Sequence, residues 1–170
     1  MDRWRGRRLA GLAVAVLLAG ATAVAAVSAH DDGTRWIVVR DRAGVELARA
    51  AISSSDGFAL RYRNSVYESI AEEQFEIDGG RLHVVELRAE ELAVLEEYYT
   101  AVGATRSGPS SDLTWRIGVE RPSIALPLRV QATALGQRML LTSDREIPLW
   151  RLVADRDDTL VILTVEGRSR

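Results

Sequence analysis

The chain has 170 residues, with 22 basic and 24 acidic side chains, two histidines and no cysteine. The missing thiol excludes a disulfide framework, a cysteine-bound zinc, a thiol nucleophile and a lipid-modified N-terminal cysteine. Beyond residue 29 there are 18 Arg against 23 Asp and Glu, a balance of about −5 with no basic stripe, so nucleic acid is not an expected partner.

The N-terminal segment differs from the rest. Arg3, Arg5, Arg7 and Arg8 precede 21 uncharged residues, Leu9 to Ala29, and Asp31 and Asp32 follow. A basic head before an apolar run is the pattern of an export signal, and the charge asymmetry keeps the head in the cytoplasm. Two readings stay open. A helix of this length spans about 31 Å, near the roughly 30 Å hydrocarbon core, which suits a retained anchor. Val27-Ser28-Ala29 is a small-residue cleavage site, which suits a signal peptide ending near Ala29. Both make residues 1–29 a signal peptide or membrane anchor in contact with the cytoplasmic membrane. Both place residues 30–170 outside it, as an extracytoplasmic β-rich domain.

Short apolar runs between frequent turn signals then predict an all-β fold, a mainly antiparallel sandwich or barrel with one short helix. Arg35 to Arg40 reads as the first strand, Asp41-Arg42-Ala43-Gly44 as a hairpin turn and Val45 to Ala51 as the return. After the loop Ser53 to Gly57, Phe58, Leu60 and Tyr62 alternate with Ala59, Arg61 and Arg63. A strand within Tyr67 to Ile77 ends at Asp78-Gly79-Gly80, the strongest hairpin signal present. Arg81 to Arg88 returns. Leu92, Leu95 and Tyr99 have helical spacing, which predicts a short helix within Ala89 to Thr100. Gly103 to Asp112 reads as a polar loop. Strands follow at Leu113 to Ile117, Ile124 to Ala132, Gln137 to Thr142, Ile147 to Val153 and Thr159 to Glu166. Pro122, Pro127 and Pro148 mark edges or breaks among them.

No constellation for known chemistry stands out. His83 lies in a strand on the opposite face from Leu82 and Val84, and there is no nucleophile elbow around a serine. Two-histidine metal spacing and a Gly-rich phosphate loop are missing, so neither a metal nor a cofactor is expected. Asp155, Asp157 and Asp158 have a D-x-D spacing without the rest of a calcium loop. The carboxylate pairs, Glu72-Glu73 among them, read mostly as surface charge, because neighbours in a strand point to opposite faces. Glu73 is the exception. It shares strand parity with Ala71, Phe75 and Ile77, which turns it toward the core, where a carboxylate needs a partner. Arg61, Arg63, Asn64 or loop amides are the expected partners.

The segment Phe58 to Val66, with Glu73-Gln74-Phe75 and Asp78 to Leu82, resembles a family of small exported proteins, the domain-of-unknown-function family numbered eighteen-fifty. In that family a strand ends in His-Ser-Val, a Glu followed by an aromatic comes next, and a Gly turn leads to another strand. The resemblance implies an extracytoplasmic accessory of TAXI-type tripartite (TRAP) uptake transporters, with transporter subunits as partners. It implies a binding role for Asn64, Ser65 and Glu73. The family histidine is Asn64 here, and an amide does not titrate, so that position carries over only as a hydrogen-bonding group. The family's Gly-rich stretch is replaced by Leu92 to Tyr99. In a tight hairpin centred near Ser65, Glu73 would stand about 26 Å from the turn, and it meets Asn64 only if residues 64–70 form a wide loop folding back.

Three functions compete: a binding module beside a membrane transporter, a structural envelope-interaction domain, and an enzyme working through Glu73 and Ser65. The first is the expectation, with no catalytic residue assigned.

Overall fold

The computed structural model describes residues 35–52 and 57–167. The N-terminal hydrophobic helix expected within residues 1–29 lies outside them. Among the described residues no helix is long and apolar enough to cross a membrane.

The fold is mostly antiparallel β. Strands β1 (Arg35–Arg40), β2 (Glu46–Ile52), β9 (Leu128–Gln131) and β12 (Leu160–Glu166) form a four-stranded sheet in the order β2-β1-β12-β9. The larger sheet contains β3 (Phe58–Arg63), β4 (Ile70–Asp78), β5 (Arg81–Ala89), β6 (Thr105–Arg106), β7 (Trp115–Gly118), β10 (Met139–Leu141) and β11 (Glu146–Pro148). Its order is β11-β10-β3-β4-β5-β7-β6, and β8 (Ile124–Ala125) pairs with β5 off that path. One buried cluster takes side chains from both sheets, among them Ile37, Ile52 and Leu163 of the smaller and Leu60, Leu82 and Leu87 of the larger. Each such side chain contributes about 1.5–3 kcal/mol on burial, which is how a domain without disulfides holds together.

The turn chemistry acts where the residues require it. Gly79 and Gly80 have φ of +54° and +75°, the left-handed backbone of a two-residue hairpin, and Asp78 pairs with Arg81 across it. Asp41 accepts the Val45 amide proton at 2.9 Å and closes the first hairpin.

A register shift between Gln74 and Phe75 sets the faces of β5. Phe75 pairs with Val84 and Gln74 with Glu86, so Val85 is the extra residue of a bulge. Strict alternation would turn Glu86 and Arg88 inward with Leu82 and Val84. The bulge instead turns Leu87 and Ala89 inward, both fully buried.

Four elements differ from expectation. The helix expected within Ala89 to Thr100 is a π-helical turn, Val94–Tyr98, with Tyr99 N–H on the Val94 carbonyl at 3.2 Å. The wider turn buries Val94, Leu95 and Tyr99 and leaves Glu96, Glu97 and Tyr98 outside. The loop expected at Gly103 to Asp112 contains β6, paired with β7. The run Ile124 to Ala132 divides at Pro127: β8 joins the larger sheet and β9 the smaller. Proline has no N–H for a ladder, so the chain changes sheets there. The strand expected at Ile147 to Val153 stops at Pro148 on the edge strand β11, and a single α-helical turn, Leu149–Leu152, follows.

Candidate binding site

Asn64 is 3 % exposed and directly follows β3. Its side-chain oxygen accepts the amide protons of Val66 (2.9 Å) and Tyr67 (3.2 Å), and its own N–H donates to the Ser69 carbonyl at 2.8 Å. This is the local side-chain-to-backbone bonding that suits Asn to turns. Ser65 sits exposed at the tip. Glu73 lies further along, opposite Leu60 on β3 and Leu87 on β5. The rung Arg63–Ile70 lies between, so Asn64 and Glu73 are roughly 13 Å apart along the strands. The loop is wider than a tight hairpin but does not fold back, and it does not bring Asn64, Ser65 and Glu73 together.

Glu73 faces inward, because both its cross-strand neighbours, Leu60 and Leu87, belong to the core. Its partner is none of the four expected. Tyr99, 26 residues away, donates its phenolic proton to Glu73 Oε1 at 2.7 Å. The Tyr62 hydroxyl in turn bonds to the Tyr99 hydroxyl. A carboxylate only accepts and each phenol carries one proton, so the order runs Tyr62 to Tyr99 to Glu73. Burial lifts the Tyr62 phenol to about 12, with the Tyr99 bond working against that lift and the Glu73 charge adding to it. Burial, then the Glu73 charge, drive Tyr99 upward as well. Both phenols therefore stay protonated near neutrality, as donors and not as phenolate nucleophiles. Guanidinium groups cover the rings: Arg138 lies 4.7 Å from the Tyr62 centroid and Arg121 5.1 Å from that of Tyr99. The Tyr67 hydroxyl donates to Glu97 at 2.7 Å, tying the 64–69 loop to the same helical turn.

On the opposite face of the larger sheet a second carboxylate is more deeply buried. Glu72 is 2 % exposed, although alternation turns it outward with Gln74 and Glu76. It stands between Arg61 on β3 and Arg88 on β5. Arg61 contacts it at 2.7 Å and also pairs with Asp112 at 2.7 Å. Asp112 belongs to the loop between β6 and β7, so its bond to Arg61 ties that loop to β3 on the far side of β4 and β5. Burial opposes the Arg61 charge, but the Glu72 and Asp112 carboxylates outweigh it and hold the guanidinium above its ordinary value. Beside this cluster lies a groove of about 440 Å³ lined by Arg61, Glu72, Gln74, Leu141 and Ser143. Its floor depends on Gly57, where an added Cβ would lie 1.5 Å from the Phe75 carbonyl oxygen.

Sequence reasoning set Glu72 aside as surface charge. Its cross-strand neighbours are Arg61 and Arg88, and only the order of the strands sets them there. Spacing in the sequence marks Tyr62 and Tyr99 only as apolar positions. Among the described residues no group of three or more His, Cys, Asp or Glu could hold a metal ion. Comparison with protein-family models, with curated proteins and with solved structures finds no match.

Proposed function

We propose that this chain is a binding module displayed outside the cytoplasmic membrane, an accessory to a TRAP-type uptake transporter, and that it presents the outer face of its larger sheet. The observation that carries the binding reading is the ion cluster of Arg61, Glu72 and Asp112 beside an open groove on that face. A charged pair bonded to a distant loop through Asp112 has its groups fixed before any partner arrives, and pre-organised groups bind at lower entropic cost. Support for the location is the basic head followed by 21 uncharged residues. Support for the transporter link is the resemblance over Phe58 to Leu82. Its residues all fall within β3, β4, β5 and the two turns that join them, a contiguous unit of the larger sheet.

The test is cross-linking in cells that produce the full chain, followed by recovery of its partners. The proposal expects subunits of a TRAP permease in the cross-linked product, and their loss when Arg61 is changed to Glu. Recovery of an envelope complex lacking any permease, or of intact chain among cytosolic proteins, would remove it.

A further inference from the structure

Arg88 on β5 and Arg116 on β7 are direct cross-strand neighbours on the outer face of the larger sheet. Like charges in that position repel, and the pair needs anions nearby. One carboxylate serves both: Glu86 bonds to Arg88 Nε and lies 3.5 Å from Arg116 Nη1. Glu72 lies 3.7 Å from Arg88 but is already held by Arg61 and Gln74. Arg116 is left about half exposed, with its weaker contact as its anionic partner among the described residues.

Over this pair lies the loop from Ser107 to Thr114, which is built rather than slack. Ser107 N–H donates to the Thr114 carbonyl at 2.9 Å, Ser111 N–H to Gly108 at 3.0 Å, and Leu113 N–H to the Ser111 hydroxyl at 3.2 Å. Asp112 is pinned by Arg61, and Leu113 is 2 % exposed. Between loop and sheet is a hollow of about 350 Å³, and among the described residues the only charged side chains lining it are Arg88 and Arg116. Ser107, Ser110 and Ser111 line the other wall. Ser107 Oγ is buried and has no hydrogen-bond partner among the described residues. A buried hydroxyl without a partner is costly unless something else meets it.

We propose that this hollow binds a small organic oxyanion, carboxylate- or phosphate-bearing, gripped by the Arg88 and Arg116 guanidinium groups and by the Ser107 hydroxyl. Planar guanidinium forks match both kinds of oxyanion, and charge-assisted bonds are the stronger kind. The volume lies in the range of small-molecule sites and exceeds what a bare ion fills. The inference rests on this geometry alone and stands whether or not a transporter is the partner.

The experiment is isothermal titration of the full chain, purified in detergent, with succinate, with inorganic phosphate, and with the neutral succinamide. Saturable binding of succinate identifies a carboxylate site, and saturable binding of phosphate a phosphate site. Succinamide is expected to give no binding. Arg116→Gln removes a half-exposed side chain and is expected to leave the fold intact, which circular dichroism checks. It is expected to weaken anion binding about tenfold or more, the loss of one charge-assisted contact. Ser107→Ala is expected to weaken it by a smaller factor. Arg129→Gln, exposed on the smaller sheet, is expected to bind as the parent does. The proposal is overturned if neither anion binds at about 10 mM, or if Arg129→Gln loses as much binding as Arg116→Gln.

Discussion

Tyr99 reaches from a π-helical turn to give its phenolic proton to Glu73, 2.7 Å away, on the middle of β4. This single bond satisfies the one carboxylate that strand alternation turns toward the core, and it passes the constraint on to Tyr62.

Tyr99→Phe therefore strips a donor from Glu73 and an acceptor from Tyr62. A buried polar group left without its partner costs about 1–3 kcal/mol, so urea denaturation is expected to show a loss in that range. The adjacent Tyr98 is 54 % exposed. Tyr98→Phe is expected to stay within about 0.5 kcal/mol of the parent. Equal losses for the two variants would mean that the bond to Glu73 adds nothing.

The same two phenols set an alkaline limit. Below pH 10 the folded and unfolded chains both hold the Tyr62 proton, and its contribution to stability is complete. Above that the unfolded chain releases the proton while the folded chain keeps it, up to about 12. Stability accordingly falls as pH rises from about 10 to about 12, and Tyr99, shifted the same way, steepens the fall. In an alkaline titration, two of the four tyrosines are expected to ionise only as the β-sheet circular dichroism is lost. Ionisation of all four before any unfolding would contradict the burial described for Tyr62 and Tyr99.

Glu72 is buried and depends on Arg61, which is itself partly exposed. Removing Arg61 leaves the buried Glu72 charge with only the longer contact to Arg88, at 3.7 Å, and costs about 3–5 kcal/mol. Arg61→Leu is expected to lose about 3 kcal/mol by chemical denaturation. The double variant Arg61→Leu, Glu72→Leu is expected to recover most of that, because no lone buried charge remains. Asp112→Ala, by contrast, removes an exposed partner and is expected to cost under about 1 kcal/mol.

At the end of β3, Asn64 holds two loop amides. Asn64→Ala is expected to cost about 1 kcal/mol, the usual magnitude for losing such a side-chain acceptor. Asn64→Asp keeps the acceptor and is expected to remain close to the parent. Hydrogen exchange at the Val66 and Tyr67 amides reads the difference directly.

Gly57→Ala sets a Cβ against the Phe75 carbonyl, which belongs to a paired strand and cannot move away cheaply. A loss above about 3 kcal/mol, or failure to fold, is expected from such a clash. Gly44→Ala meets nothing within 4 Å and suffers only its positive φ of +84°. It is expected to cost about 1 kcal/mol.

Much of this architecture is written locally. Alternation of period two marks β3, Gly79 and Gly80 fix a hairpin, and parity alone turns Glu73 inward, because a strand's side chains take opposite faces in turn. What sequence reasoning could not reach depends on which strands lie side by side. Val85 becomes a bulge only against β4, and that bulge decides that Leu87 and not Glu86 enters the core. The run around Pro127 divides because its two halves find partners in different sheets. Arg61 is bonded to Asp112 and Glu73 is satisfied by Tyr99, both across tens of residues of chain. Local periodicity states the direction of each side chain. Only sheet order, set by burial of one shared core, states what that side chain meets.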